Sequence, residues 1–250
     1  VFPDGLVPQS TIHLWFLFYL ALISFSVWLI AIMIDRYKLN SSAFKSYFES
    51  AHNNIYIALL PLSIISFLTL LYMGSSSAIT SASFIPDPRT FLFYSVFYCY
   101  GWFLYLSKQL ITKFTAHAWL MLFLGTILFA IKIGFENSVS EHAIYLAMLS
   151  NAIAAWLYIF ACMGLFLLYA SSGSFIWRYI SDSAYWVYLI HLPLIAFMAG
   201  IIGEFNLPAL LKFLIVFSSV TAICFTTYHY FVRNTFIGLF LNGKKFPKTS

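Results

Sequence analysis

Long apolar segments, separated by short polar ones, dominate the order of residues along the chain. A hydrocarbon layer about 30 Å thick is crossed by about 20 helical residues at roughly 1.5 Å each. The spans predicted on this basis are Leu14–Ile34, Ile55–Met73, Phe91–Leu106, Ala116–Ile133, Ala143–Tyr169, Ala184–Ile202 and Leu207–Val232. None shows the alternation of apolar and polar residues that barrel strands need. The pattern therefore predicts an all-α fold, a polytopic transmembrane helix bundle of about seven spans.

Composition supports a lipid environment and excludes a single water-soluble core. Hydrophobic residues make up 62% of the chain and charged residues 8%, against about 25% charged residues in soluble domains. The formal net charge of +5 comes mostly from residues at segment ends, where lysine and arginine meet lipid headgroups. A lipid bilayer is the expected partner and nucleic acid is not, while the oligomeric state stays open.

The distribution of lysine and arginine predicts which way the bundle faces, because short loops rich in these residues stay in the cytoplasm. One predicted side carries Arg36, Lys38, Lys45, Lys108, Lys113, Arg178, Arg233, Lys244, Lys245 and Lys248, and the other carries Arg89, Lys132 and Lys212. An odd number of spans then places the N-terminus on the periplasmic side and the C-terminus in the cytoplasm. The serine-rich loop Gly74–Thr90 is expected to cover a site that faces outward.

Motifs for metal or disulfide chemistry are sparse. Cys99, Cys162 and Cys224 all fall within predicted spans, which favours small buried hydrophobic side chains over a disulfide or a metal site. No nucleotide-binding glycine loop or zinc-protease motif occurs, so no metal is predicted. The first residues carry no charged segment before a cleavage site, and no signal peptide is predicted.

His191 is the clearest candidate for chemistry, because ionisable residues inside a span are costly and often functional. Pro193 lacks an N–H and crowds the carbonyl of Leu189, so we expect a kink that frees a carbonyl acceptor beside His191. Tyr188 lies one turn back on the same face. One interpretation is a polar centre that binds substrate or transfers a proton. The alternative is a neutral histidine bonded to a neighbouring helix.

His13 stands at the outer mouth of the first predicted span, beside Trp15. A histidine next to tryptophan at this depth is typical of the interfacial aromatic belt, and a functional role is the alternative. The predicted orientation puts His13 and His191 near opposite leaflets. They are therefore not expected to act as a direct pair.

Arg178 and Asp182 precede the sixth predicted span at a spacing of i, i+4. This spacing is consistent with a salt bridge on a short interfacial helix. The alternative for Arg178 is contact with a phosphate group of a substrate. Ser181 and Ser183 are expected to cap the start of the span.

Two motifs resemble the acyltransferase family 3 membrane proteins. The stretch from Ser181 to Pro193 reads SDSAYWVYLIHLP and resembles the family's C-terminal signature Ser-x-x-(Ser/Ala)-Tyr-x-x-Tyr-Leu-x-His-x-Pro. The segment from His13 to Leu17 is similar to the family's His-Leu-Trp-Phe-Leu segment, in the same order along the chain. Within the family, the sequence most resembles the branch that contains glucan biosynthesis protein C, which is associated with succinylation of periplasmic glucans.

The resemblance implies a membrane-bound O-acyltransferase in the cell inner membrane. An acyl group, succinyl in that branch, would move from cytoplasmic acyl-CoA to a carbohydrate hydroxyl on the far side, with acyl-CoA as co-substrate and no metal. The implied site residues are His191 and His13 as catalytic residues and Tyr185, Tyr188, Trp15 and Arg178 as substrate-binding residues.

The sequence departs from the family at its N-terminal side. The family's general-base histidine and its accompanying arginine lie in N-terminal helices that match nothing here. The chain, a single membrane domain over residues 1–250, therefore resembles the C-terminal part of such an enzyme. Two alternatives stay open: a transporter or flippase of an acyl or sugar compound, and a truncated remnant without catalysis.

Overall fold

The structure is a computed structural model that describes residues 11–37, 46, 48–50, 52, 54–136, 138, 140–171 and 173–243. These residues form helices and no strand. The helices are α1 Trp15–Arg36, α2 Ile55–Met73, α3 Pro88–Leu106, α4 Ala118–Glu136, α5 Glu141–Tyr169, α6 Phe175–Gly203, α7 Ala209–Thr227 and α8 Phe236–Asn242. A 3-10 helix, Lys108–His117, precedes α4, and a π-helical turn, Tyr228–Val232, follows α7. The prediction of an all-α bundle is confirmed.

Among the described residues, six helical segments are long and apolar enough to cross a membrane. They are Trp15–Arg36, Ile55–Met73, Lys108–Glu136, Glu141–Tyr169, Phe175–Gly203 and Ala209–Val232. Helix α3 is not one of them, because Arg89, Ser95 and several tyrosines dilute its apolar residues. The predicted span Phe91–Leu106 nevertheless exists as a regular helix that starts three residues earlier.

Contacts at both ends of α3 show that it traverses the same layer as α2. Helix α3 begins just after the loop that follows α2. At its other end, the Ser107 hydroxyl donates to Glu49, which precedes α2, at 2.8 Å. The two helices therefore connect the same two ends of the bundle, here named the Ser76 end and the Ser107 end. Counting α3 by its path restores the predicted seventh crossing.

The described chain packs as two compact units, Val1–Ser171 and Ser172–Ser250. Within the first unit, Lys108 lies at the Ser107 end, whereas Lys132 lies at the Ser76 end beside the residues that follow α2. This agrees with the prediction that Lys108 and Lys132 lie on opposite sides of the bundle. Which end faces the cytoplasm remains a prediction, and so does the assignment of the whole chain to one membrane domain.

Helix α5 forms the centre of the first unit. Trp156 is fully buried, stacks on Phe97 with ring centroids 4.7 Å apart, and donates its indole N–H to Ser66 Oγ at 2.8 Å. At Gly164, a Cβ atom would lie 2.5 Å from the carbonyl oxygen of Phe114. Glycine is therefore needed where α5 crosses the 3-10 helix, in the way that small residues permit close approach in membranes.

Helix α6, in the second unit, corrects the predicted start of the sixth span. It begins at Phe175 instead of Ala184, and the Ser174 hydroxyl caps it by accepting the Ile176 N–H at 3.2 Å. Ser181 and Ser183 lie inside the helix and do not cap it, since Ser183 Oγ donates to the Ile180 carbonyl instead. The short interfacial helix expected before this span is the first part of α6 itself.

The three cysteines are free thiols, but not all are buried. Cys224 is buried and Cys99 is half-buried, as expected for small hydrophobic side chains. Cys162 is exposed on α5, because its face of that helix points away from the packed core. The expectation of burial was wrong for Cys162.

Candidate functional site

The ring of His191 is held by its own helix. Its Nδ1 atom lies 2.8 Å from the carbonyl oxygen of Tyr188 and 3.1 Å from that of Val187. A carbonyl can only accept, so Nδ1 carries a hydrogen; in the uncharged tautomer with this arrangement, Nε2 is the nitrogen with the lone pair. These carbonyls are not the Leu189 carbonyl that the proline was expected to free. Helix α6 itself continues through Pro193 to Gly203.

Aromatic residues of the same motif surround His191 along α6. The ring of Tyr188 lies 5.8 Å from the His191 ring, centroid to centroid. Tyr185 is exposed on the helix surface. Trp186 donates its indole N–H to Thr227 Oγ1 at 3.0 Å and so joins α6 to α7. The motif therefore places an oriented imidazole and two tyrosines on a helix that is anchored within its unit.

The first turns of α6 form a basic and aromatic region. Arg178 is exposed, and no ion pair joins it to Asp182 in the described part of the chain. The predicted salt bridge is therefore absent between these two residues. On the facing segment, the Arg233 guanidinium lies 5.4 Å from the Phe175 ring and 5.3 Å from the Tyr179 ring. This surface has the charge and geometry to meet an anionic group.

The His13 motif lies at the Ser76 end of the first unit. His13 belongs to a short 3-10 turn, and the ring of Trp15 packs on Tyr94 with centroids 5.4 Å apart. The Tyr19 hydroxyl accepts the backbone N–H of Asp87 at 2.9 Å, which ties the start of α1 to the loop before α3. His13 and His191 thus belong to different units.

A partly buried ion pair lies at this same end. The Lys132 ammonium donates to Glu136 Oε2 at 2.7 Å, and the hydroxyls of Ser76 and Ser77 donate to Oε1 at 3.1 and 2.9 Å. Only 10% of the Lys132 side chain is exposed. Glu136 therefore receives donors from two separate parts of the chain.

A turn after α2 brings these donors to Glu136. Gly74 ends α2 in the left-handed region at φ 71°, which glycine adopts without strain, and its N–H closes the last turn on the Leu70 carbonyl at 2.9 Å. The chain then reverses, so that Ser76 meets α4. Asn151 of α5 fixes the turn from its other side by donating to the Ser76 carbonyl at 2.8 Å.

Lys132, Ser77 and Asn151 help to line a cavity of about 490 Å³, here named the Lys132 cavity. Its lining residues are Ser77, Ala78, Phe93, Tyr94, Phe97, Phe129, Lys132, Asn151 and Ala155. Trp15 lies behind one wall of the cavity, against Tyr94. The cavity combines aromatic walls with an ammonium and an amide, which suits a ligand with both apolar faces and hydrogen-bonding groups.

The sequence prediction missed this cavity. Lys132 and Glu136 have the same i, i+4 spacing as Arg178 and Asp182; Lys132 lies just inside the end of the predicted span Ala116–Ile133, and Glu136 lies just beyond it. That spacing was the available signal. No sequence pattern indicates that Asn151 and Ser77 line the cavity, because their positions there depend on how the turn after α2 packs.

A second buried polar pair lies at the Ser107 end. His52 Nδ1 is 2.7 Å from the Phe48 carbonyl, so Nδ1 carries the hydrogen and Nε2 accepts from the Tyr100 hydroxyl at 3.1 Å. Burial lowers the pKa of His52 below its usual 6.5; the Phe48 hydrogen bond opposes this shift, and nearby Lys113 adds to it. The loop position of His52 had not marked it as a buried residue.

Tyr100 also borders an apolar cavity of about 290 Å³ with Lys108 at its edge. Trp156, Leu104 and Met163 form part of its walls. In the described part of the chain, no three histidine, cysteine or acidic residues cluster in a way that holds a metal ion.

Comparison with known proteins identifies a family. The family model described as Acyltransferase domain, of acyltransferase family 3, matches residues 2–229 and includes both sequence motifs. No curated protein and no solved structure matches the chain.

Proposed function

The chain belongs to acyltransferase family 3 and is a membrane acyltransferase, and from this premise we propose that it acylates a carbohydrate hydroxyl with an acyl group from cytoplasmic acyl-CoA. The acceptor hydroxyl lies on the periplasmic side of the inner membrane. The resemblance to the glucan biosynthesis protein C branch supports succinyl as the acyl group and a glucan as the acceptor. The match over both units supports a role for the second unit as well as the first.

The orientation of His191 is the observation that carries this proposal. Two backbone carbonyls hold Nδ1 and so fix the orientation of the ring, and in the proposed complex Nε2 accepts a hydrogen bond from the acceptor hydroxyl. His191 thereby orients the oxygen for attack, while Tyr185 and Tyr188 line the path of the substrate. A free hydroxyl is a weak nucleophile and needs such assistance.

Acyl transfer then forms one bond and breaks another. The acceptor oxygen attacks the thioester carbonyl, the carbon–sulfur bond breaks, and coenzyme A leaves as a thiolate. The hydroxyl proton passes to Nε2 of His191, which then delivers it to the thiolate. The resemblance assigns His13 and Trp15 a contact with the substrate as well.

Arg178 serves the donor end. Its exposed guanidinium lies on the first turns of α6, in the basic region that includes Arg233. Coenzyme A carries phosphate groups that pair well with guanidinium groups. We expect Arg178 to bind a phosphate of acyl-CoA and to contribute to KM more than to kcat.

The test uses the natural full-length protein reconstituted in vesicles, with acyl-CoA, a glucan oligosaccharide and mass-spectrometric detection of the ester. His191→Gln should lower kcat by about 100-fold or more, as for loss of a group that handles the reacting proton. The matched control is His142→Gln, at an exposed position in the first turn of α5. Normal kcat in His191→Gln would exclude the role given to His191. Movement of a substrate across the vesicle without any ester would favour the transporter hypothesis.

A further inference from the structure

We propose that the Lys132 cavity binds one uncharged sugar ring of the acceptor chain. The inference rests on the proposed function for the identity of the acceptor, and on the cavity itself for the site and its chemistry. It assigns a binding function to Lys132 and Asn151, two residues outside both sequence motifs.

The charges in the cavity favour an uncharged ligand. The Lys132 ammonium is neutralised by Glu136 at 2.7 Å, so the cavity has no net charge with which to attract a strongly anionic group. Only one of the three ammonium hydrogens is used in that bond, and the others can donate to ligand hydroxyls. Such bonds from a charged donor are stronger than those between neutral groups.

Asn151 supplies the complementary acceptor. Its amide nitrogen donates to the Ser76 carbonyl at 2.8 Å, which fixes the plane of the amide. The amide oxygen of a fixed asparagine can accept a hydrogen bond, and its second N–H can donate one. Lys132 and Asn151 together offer the mixture of donors and acceptors that vicinal hydroxyls require.

Aromatic walls complete the match to a sugar ring. Phe93, Tyr94, Phe97 and Phe129 line the cavity, and the C–H faces of a pyranose ring are apolar enough to pack against them. The volume, about 490 Å³, lies within the roughly 300–1,000 Å³ typical of small-molecule sites. A lipid tail would offer no acceptor to the remaining N–H groups of Lys132 and Asn151, which is unfavourable for polar groups at a cavity wall.

The position of the cavity suits an acceptor that arrives from outside the membrane. It lies at the Ser76 end, and Ser77 and Ala78 of the loop after α2 are part of its lining. This is the end that the distribution of lysine and arginine predicts to face the periplasm. A glucan can therefore enter the cavity without crossing the apolar layer.

The test measures binding of a short, uncharged glucose oligosaccharide to the full-length protein in lipid nanodiscs, by saturation-transfer NMR. Ala155→Phe fills the cavity from α5 and leaves the ion pair in place, whereas Asn151→Leu removes the amide. Each should weaken binding at least tenfold. The matched control, Ala130→Phe, adds the same ring at an exposed position of α4 and should bind like the wild type.

Several outcomes would overturn the inference. Wild-type protein that binds no oligosaccharide, or an Ala155→Phe variant that binds normally, would show that the cavity is not the site. Size-exclusion profiles establish that each variant is folded, and Ala155→Met provides a milder filling variant if Ala155→Phe is not.

Failure of the inference is distinguishable from failure of the proposed function. Binding without ester formation by the wild type would refute the acyl-transfer proposal and leave the sugar site standing. If Ala155→Phe formed the ester with an unchanged acceptor KM, the sugar site would be refuted and the acyl-transfer proposal would stand.

Discussion

The pair formed by Lys132 and Glu136 predicts an unequal response to removal of its two partners. Glu136→Gln keeps the shape of the side chain but leaves a buried ammonium without its counter-charge. Lys132→Met removes the buried charge itself, and the carboxylate left behind keeps the hydrogen bonds from Ser76 and Ser77. We therefore expect Glu136→Gln to be the more destabilising of the two substitutions.

The exposure of the two side chains sets the magnitude. Removing one partner of a buried pair costs about 3–5 kcal/mol, whereas an exposed pair contributes about 0–1 kcal/mol. The Lys132 side chain is 10% exposed and that of Glu136 is 34% exposed, so the pair lies between these limits. We expect a loss of about 2 kcal/mol for Glu136→Gln, which corresponds to a Tm lower by about 4–8 °C in a chain of this size.

The assay is thermal unfolding of the purified protein in one detergent, followed by size-exclusion chromatography of heated samples. The double variant Lys132→Met/Glu136→Gln should recover most of the loss, because no unpaired charge remains. Ser77→Ala, which removes one neutral donor to Glu136, is the matched control and should lower Tm less than Glu136→Gln does. Equal losses in both single variants, or a double variant with the sum of both losses, would refute the assignment of a buried ion pair.

Three further predictions concern the packing of the first unit. Because burial lowers the pKa of His52 below 6.5, the unfolded chain binds the proton more readily, so Tm should fall as pH drops below about 6.5; in His52→Gln this fall should be smaller. Gly164→Ala should lower Tm, since overpacking costs about 1–3 kcal/mol, and Gly134→Ala, with no atom within 4 Å of the added carbon, should not. Trp156→Phe should cost about 1–3 kcal/mol by leaving the buried Ser66 hydroxyl without its donor, and an unchanged Tm would contradict that bond.

The spans could be predicted from sequence because lipid imposes a length and a composition on each segment that crosses it. Both predicted ends of Ile55–Met73 agree with the structure, because Asn54 caps the start of the helix and Gly74 ends it in the left-handed conformation. The predicted start of this span, Ala184, lies after the observed start of α6, Phe175, because Arg178 and Asp182 interrupt the apolar run between them. A helix can project beyond the apolar layer, so charges near its end do not locate its first residue.

In the candidate site too, local features could be predicted from the sequence and long-range contacts could not. The His191 motif could be predicted because its residues are neighbours in sequence and share one helix face. The Lys132 cavity could not, since Ser76 and Asn151 are 75 positions apart and meet only because Gly74 reverses the chain. Long-range juxtapositions of this kind leave no periodic pattern in the sequence.

Helix α3 shows why hydropathy alone undercounts the crossings of a functional membrane bundle. Its tyrosines lower its mean hydropathy, but Tyr94 lines the Lys132 cavity and Tyr100 bonds His52. These hydroxyl-bearing residues face protein cavities and partners, where hydrogen bonds offset the cost of burying a polar group. Two of the residues that make α3 a poor span by composition, Tyr94 and Tyr100, therefore lie at a cavity wall and in a buried hydrogen bond, so the composition of α3 reflects packing against protein as well as against lipid.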